Sequence, residues 1–178
     1  MEQGSSNIEG EGIVKFYQAI NVDPMDPLTL YISLLMKAEC MGEYQYQEFE
    51  KLCLELGVDS VEGIRAKVPA LRKDQHSHFK DIYKFTFDFS RDKGFKNVVL
   101  ETAIALWQLL LADKCKFLNK WCAFIEKEGE GGLKVIPKDT WNMLLELNEA
   151  TKGDMGNFVD DGAWPVLIDK FQEFLAAH

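Results

Sequence analysis

Apolar residues recur along most of this chain at intervals of three and four, the period of an α-helix with one buried face. The pattern predicts helices over residues 12–20, 26–39, 45–56, 59–71, 98–112, 117–128, 137–150 and 163–177. Segment 26–39 is apolar on more than one side, which indicates a central element. We expect Pro69 to interrupt the helix over 59–71 and glycines at 129–132 to form a flexible loop.

Residues 79–90 are dense in aromatic side chains and allow two interpretations. Residues 84–89 alternate between apolar and polar, as a strand would. Phe79, Ile82, Tyr83 and Thr86 nevertheless continue at helical spacing, and no partner strand is visible. We therefore favour a helix here, and the chain as a whole is predicted to be all-α.

The composition sets the size and the class of the protein. With 178 residues, 47% of them hydrophobic, the chain can form one globular domain or two small subdomains that share a core. The net charge of −9 argues against nucleic-acid binding, which needs clustered Lys and Arg, and favours basic protein partners. No apolar run approaches the length of a membrane span, so no membrane partner is expected.

Cysteine usage and the first residues indicate where the protein acts. The four cysteines, at positions 40, 53, 115 and 122, form no C-x-x-C pair and match no zinc spacing. Buried free thiols and the lack of a signal peptide predict a protein of the nucleus and cytoplasm. Residues 1–7 are polar and are predicted to be a disordered tail or an expression remnant, which leaves 8–178 as the domain.

The sequence contains no recognisable catalytic motif. It has no P-loop, no dinucleotide fingerprint and no nucleophile elbow. His76 and His78 lie in a polar connector and His178 is terminal, so a solvated role is favoured over metal binding. We predict no catalytic residue, no metal and no cofactor, although an enzyme that uses Cys40 or Cys115 remains an alternative.

Successive helix–loop–helix units are similar to paired EF-hands, which raises calcium binding as another alternative. Calcium needs regularly spaced carboxylates and a glutamate at the end of the loop, and no loop here supplies them. The nearest run, residues 154–162, has the wrong ligand spacing. A calcium-responsive sensor that binds amphipathic peptides is therefore the second hypothesis for function.

Two segments carry the clearest functional signal, residues 136–142 and 162–169. In each, a tryptophan close to a predicted helix start (Trp141 or Trp164) stands near an aspartate (Asp139 or Asp169). Aromatic residues can anchor a helix pair while the nearby carboxylates face outward. The segments therefore predict a docking surface and not a reaction centre.

These segments, together with residues 83–89 and 116–118, resemble the DCN-like (defective in cullin neddylation) family in order and in separation. The resemblance covers nearly all of the chain. It implies a potentiating-neddylation domain, all-helical, with EF-hand-like subdomains that bind no calcium. It also implies a scaffold-type co-ligase, which holds a cullin and the neddylation conjugating enzyme together and promotes transfer of the ubiquitin-like modifier to the cullin.

The resemblance assigns two binding sites. The family's cullin-facing patch falls on Asp139, Ala163 and Asp169, which would contact a cullin C-terminal domain within a cullin-RING ligase complex. Two carboxylates can pair with basic residues, and a small alanine between them permits close approach. Asp139 could alternatively be an ordinary first-turn helix charge, whereas Asp169 is predicted to lie in mid-helix.

The family also has an apolar pocket for the acetylated N-terminus of the conjugating enzyme, whose next residues form a helix in a groove. The resemblance assigns the pocket lining to Ile32, Met36, Tyr44, Phe89, Ala105 and Leu109. From spacing alone, each of these residues could equally be part of the core.

Overall fold

A computed structural model describes residues 7–160 and 162–177 of the chain. The chain divides into two compact units, Met1–Phe95 and Lys96–His178. No helix in the described ranges is long and apolar enough to cross a membrane.

The first unit pairs two short strands and surrounds them with helices. Strand β1 runs antiparallel to β2, with Ile8 opposite Tyr44. The elements in chain order are β1 Asn7–Glu9, α1 Glu11–Ala19, α2 Leu28–Met36, β2 Glu43–Gln45, α3 Tyr46–Leu56, α4 Val61–Asp74 and α5 Phe79–Phe89.

Local chemistry explains where these helices begin and end. The N–H of Leu28 at the start of α2 donates to the Asp26 carboxylate at 2.9 Å. Lys37 then takes a left-handed conformation, with φ 52°, and stops the helix. Helix α3 begins with a capping box between Gln45 and Glu48.

The core of the first unit contains a network of buried hydroxyl groups. The Tyr44 hydroxyl lies 2.6 Å from that of Tyr17 and 2.6 Å from Ser33 Oγ. Tyr17 also donates to the carbonyl oxygen of Thr29 at 3.2 Å. Burial raises the pKa of both tyrosines above the ordinary range, so they stay protonated and can keep donating.

The second unit also contains one antiparallel strand pair, in which Val98 lies opposite Ile136. A short 3-10 turn, Met155–Asn157, lies between its last two helices. Its other elements are β3 Val98–Val99, α6 Leu100–Leu111, α7 Leu118–Glu130, β4 Val135–Ile136, α8 Lys138–Ala150 and α9 Val166–Ala177.

Three tryptophans form the centre of the second unit. The rings of Trp107 on α6 and Trp141 on α8 stack at 5.4 Å, with 21° between their planes. Trp121 on α7 meets Trp107 edge to face at 6.1 Å and meets Phe171 on α9 at 5.1 Å. All four side chains have an exposure of 0%, so aromatic contacts join the four helices.

The all-α prediction is confirmed, and the helix over 79–90 is confirmed as α5. Several boundaries were wrong. Helix α4 continues through Pro69, which is exposed, so the carbonyl that loses its partner can remain hydrated. Gly129 belongs to α7 and not to a flexible loop, because it packs closely against Leu100.

The proposed tail also needs a correction. Asn7 is part of strand β1, where it pairs with Gln45, so it does not belong to a disordered segment. Residues 1–6 of that prediction lie outside the described residues, as do Asp161 and His178.

Candidate docking surface on the last two helices

Helix α8 has one face packed inside the second unit and one face open to solvent. Trp141, Leu144 and Leu147 are fully buried, with an exposure of 0%. Asp139 and Glu146 are exposed on the other side. Residues three, four and seven apart share a face of a helix, so these three buried residues lie on one side of α8 and the two carboxylates lie on the other.

The open face of α8 forms a groove with the segment that leads into α9. Asp139 and Ala163 both line this groove, which has a volume of about 580 Å³. We call it the α8–α9 groove. It is lined by Asp139, Thr140, Asn142, Met143, Glu146, Ala163, Trp164, Pro165 and Leu167.

Asp169 lies just beyond the groove. It is exposed in the first turn of α9 and does not line the cavity. The expected mid-helix position of Asp169 was wrong, because α9 begins at Val166 instead of residue 163. Pro165 explains the later start, since a residue before proline is disfavoured in helical conformation. A first-turn carboxylate is stabilised by the helix dipole, so this simpler explanation applies to both aspartates.

Exposed carboxylates lie in and beside the α8–α9 groove. Asp139, Glu146 and Asp169 form no ion pair with any residue in the described ranges. The ammonium of Lys170, which is next to Asp169 in sequence, forms an ion pair with Glu128 instead, at 3.2 Å. These three carboxylates are therefore available to cations of a partner.

The groove also offers apolar surface. Trp164 is half-buried and packs against Phe158, with 5.9 Å between ring centroids. Val166, beside the lining residues, is 69% exposed. The surface can thus accept an apolar side chain and a cation together.

The connection between α8 and α9 is tied down near its start. Lys116 Nζ lies 3.0 Å from Asp154 Oδ2, and the N–H of Lys116 donates to the carbonyl of Gly153 at 2.8 Å. Asp154 also accepts from the N–H of Gly156 at 3.0 Å, and these contacts lower the pKa of its carboxyl group. A Cβ at Gly153 would meet the carbonyl of Lys114 at 2.5 Å, and φ there is +78°, so glycine is needed.

Two lining residues lie outside the segments that the sequence singled out: Met143 and Glu146. The signal was present, since they follow Asp139 at intervals of four and seven. The tryptophans were interpreted as equivalent, but they differ. Trp141 is core, whereas Trp164 lines the groove.

The residues assigned to the acetylated-N-terminus pocket come from both units, and that assignment stays a prediction. In the first unit, the exposures of Ile32, Met36, Tyr44 and Phe89 are 0%, 0%, 3% and 3%. In the second unit, Ala105 is exposed and Leu109 is half-buried.

The cysteines are free thiols. Burial raises the pKa of Cys115 to about 12 and that of Cys122 to about 11, and it also raises the pKa of Cys40. A nucleophilic cysteine needs the opposite shift, because the thiolate is the reactive form. In the described ranges, no group of three or more His, Cys, Asp or Glu residues could hold a metal ion. The run 154–162 includes Asp161, which lies outside those ranges.

The chain is similar to known proteins over most of its length. A family model described as "Cullin binding" matches residues 63–174, which include the whole α8–α9 groove. DCN1-like protein 3 of Xenopus tropicalis is 36% identical over 169 residues, and so is the human protein of that name. DCN1-like protein 5 of Bos taurus is 33% identical over 166 residues and is 69% covered. Each alignment covers 92% of this chain, which spans 55% of the length of the DCN1-like protein 3 relatives.

Proposed function

Because the chain belongs to the cullin-binding family of DCN1-like proteins, we propose that it binds a cullin C-terminal domain through the α8–α9 groove and Asp169. It holds the cullin beside the neddylation conjugating enzyme and so promotes transfer of the ubiquitin-like modifier. The protein supplies no catalytic residue of its own. The catalytic cysteine is that of the conjugating enzyme.

One observation supports the cullin-binding part of this proposal. Asp139 and Ala163 line the same groove although they are far apart in the sequence. With Glu146 on the next turns of α8, the groove presents two carboxylates on one wall and a small residue on the other. Buried tryptophans hold α8 from behind, so the groove is formed before a partner arrives.

The chemistry of the groove defines the complementary surface. A fitting cullin segment carries Lys or Arg side chains around an apolar one. The cations pair with Asp139, Glu146 and Asp169, while the apolar group covers Met143 and Leu167. Charge pairing at the rim chiefly speeds association and orients the partner, and apolar contact at the centre slows dissociation.

The second binding partner is the conjugating enzyme, whose acetylated N-terminus would enter the pocket assigned by resemblance. The burial of the assigned pocket residues means that the site must open before the enzyme can bind. Ile32 and Met36 are fully buried, so side chains must move before a ligand can reach them. The N-terminal peptide of the enzyme should bind tightly only when it is acetylated, because a free amine would bring an unpaired charge into an apolar site.

Scaffold action needs no chemistry from this chain. Holding enzyme and acceptor together raises their effective concentration and restricts wasted orientations. The raised pKa values of Cys40 and Cys115 support this mechanism over the thiol-enzyme alternative. The calcium-sensor alternative is tested by calorimetric titration, in which a saturable response at micromolar calcium would favour it.

A reconstituted neddylation assay tests the proposal. Adding this chain to purified cullin, conjugating enzyme, modifier and activating enzyme should accelerate cullin modification. The variants D139K and D169R should each weaken cullin binding by about tenfold or more and reduce the acceleration, while the helical circular dichroism is kept. An unchanged rate with the wild-type chain would contradict the co-ligase proposal. Normal cullin binding by both variants would contradict only the choice of surface.

A further inference from the structure

The first unit contains a groove of its own, between the end of α3 and the second half of α4. Its volume is about 590 Å³. None of its lining residues lines the α8–α9 groove or is assigned to the acetylated-N-terminus pocket. Its apolar part is built from Leu56 on α3 and from Ala70 and Leu71 on α4. We call it the α3–α4 groove.

Two lysines provide the positive charge of the α3–α4 groove. Lys67 and Lys73 both stand on α4 and are exposed. Neither forms an ion pair with a residue of the described ranges. Because an α-helix rises about 1.5 Å per residue, the two lysines lie about 9 Å apart along the helix axis. The chain as a whole has a net charge of −9, so these two cations beside apolar surface are a local exception.

Two carboxylates also line the groove, and only one of them can compete with a ligand for the lysines. Asp74 is already engaged, since it accepts a hydrogen bond from the hydroxyl of Tyr31 and lies 3.6 Å from Nε2 of His78. Burial and the bond to Asp74 raise the pKa of Tyr31 above its ordinary value, so the hydroxyl keeps its proton and keeps donating. Glu55, on α3, is exposed and forms no ion pair with a residue of the described ranges. Glu55 is therefore the competing carboxylate.

The α4 wall of the groove is held firmly before a ligand arrives. Its inner face is buried in the core of the first unit. Its last turn is also tied to the start of α2, because Arg72 Nη1 lies 2.7 Å from Oδ2 of Asp26. The hydroxyl of Tyr31, on α2, donates to Asp74 in the same turn. A rigid site loses little conformational freedom when a ligand binds.

We propose that the α3–α4 groove binds a short, extended acidic segment of a partner protein, in which an apolar residue lies between two Asp or Glu residues. The apolar residue covers Leu56, Ala70 and Leu71, and the two carboxylates pair with Lys67 and Lys73. Acidic residues three positions apart in an extended chain are separated by about 10 Å, which matches the lysines. The α8–α9 groove is suited to a basic segment, so the two grooves select partners of opposite charge.

The test uses a short capped peptide with glutamates three positions apart and a leucine between them, titrated into the ¹⁵N-labelled chain. Backbone amide shifts should change mainly in residues 55–56 and 67–77. The double variant K67E/K73E should weaken binding by about tenfold or more, and raising the salt concentration should weaken the wild type, because opposite charges pair at an exposed groove. E55K removes the competing carboxylate, so it should strengthen binding by about twofold or more.

Matched controls separate the groove from the overall charge of the chain. K84E/K120E makes the same change in net charge on exposed residues that do not line the groove, and it should leave the affinity within about twofold of wild type. A peptide with lysine in place of glutamate should cause no shift changes in residues 55–56 and 67–77. E55K acts from α3, so it provides an independent test if the double variant on α4 fails to fold.

The proposal is overturned if the glutamate peptide does not bind, or if its shift changes centre on residues outside the α3–α4 groove. It is also overturned if K84E/K120E weakens binding as much as K67E/K73E does, if E55K fails to strengthen binding, or if the lysine peptide shifts the same residues. Because the titration contains neither cullin nor conjugating enzyme, none of these outcomes bears on the co-ligase proposal.

Discussion

The two faces of helix α8 show how one short sequence carries both stability and recognition. On the inner face, Trp141 and Leu144 are fully buried, and Trp141 stacks on Trp107. On the outer face, Asp139 and Glu146 are exposed and line a groove. The same helical period that hides the tryptophan presents the carboxylates, so the two roles are separable by mutation.

This separation defines what each class of substitution should do. Inner-face changes remove packing and lower the free energy of unfolding, and they affect binding only through loss of the folded state. Outer-face changes alter charge at a solvated groove, where substitutions usually change stability by about 0.5 kcal/mol or less. Four predictions follow this contrast from the largest expected effect to the smallest.

The largest effect is expected for Trp141→Ala. Removing a fully buried indole leaves a cavity beside Trp107, and such changes cost about 3–5 kcal/mol of stability. Urea denaturation followed by circular dichroism measures the loss. Trp164→Ala is the matched control, because Trp164 is half-buried, and it should cost about 1 kcal/mol. Equal losses for the two variants would break the distinction between the faces.

The next effect is expected for Asp139→Lys, measured as cullin affinity. Reversing a charge that would pair with a cullin cation should weaken binding by about tenfold or more, which is at least about 1.4 kcal/mol. The midpoint of urea unfolding should hardly change, since Asp139 pairs with no residue in the described ranges. Glu101→Lys, on helix α6 and outside the α8–α9 groove, is the charge-matched control and should bind cullin normally. A large stability loss for Asp139→Lys would mean that the outer face also supports the fold.

A smaller effect is expected for Glu146→Lys. Glu146 lines the far part of the α8–α9 groove and is exposed, so its pairing with a partner is screened by water and salt. Cullin affinity should fall by about threefold to fivefold, with most of the change in the association rate. Surface plasmon resonance at two salt concentrations separates the rates. If the affinity is unchanged at low salt, the recognition surface ends at Met143.

The contrast between the two faces of α8 also explains which features were predictable from sequence. Helices such as α5 and α8 were predictable because the apolar period lies within one segment. Paired strands of two or three residues were missed, since their partners lie far apart in sequence and no period is visible in so short a run. Glu146 could have been found by spacing from Asp139. The different burial of Trp141 and Trp164 could not, because it depends on the packing of Trp107 and Phe158.

The smallest effect concerns the connection that carries Ala163 and Trp164 to the outer face. Asp154 holds the start of this connection by accepting from the N–H of Gly156 and by pairing with Lys116, and both contacts are strongest when its carboxyl group is ionised. They lower the pKa of Asp154 below its ordinary value of 3.8. The contribution is therefore complete above that value and is lost as the pH falls through the lowered pKa in the folded protein.

Neutral pH should thus leave the connection ordered, and Asp154→Ala, which removes both contacts, should loosen it at any pH. We expect faster amide hydrogen exchange at Gly156 in the variant and a decrease in cullin affinity of about twofold or less, since the groove walls stay in place. In the wild type, exchange at Gly156, corrected for its intrinsic pH dependence, should rise only under acid conditions. Unchanged exchange in the variant would show that the contacts between Lys116 and Gly153 alone fix the connection. A loss of cullin binding as large as that of Asp139→Lys would instead show that the connection, and not the carboxylates of α8, determines recognition.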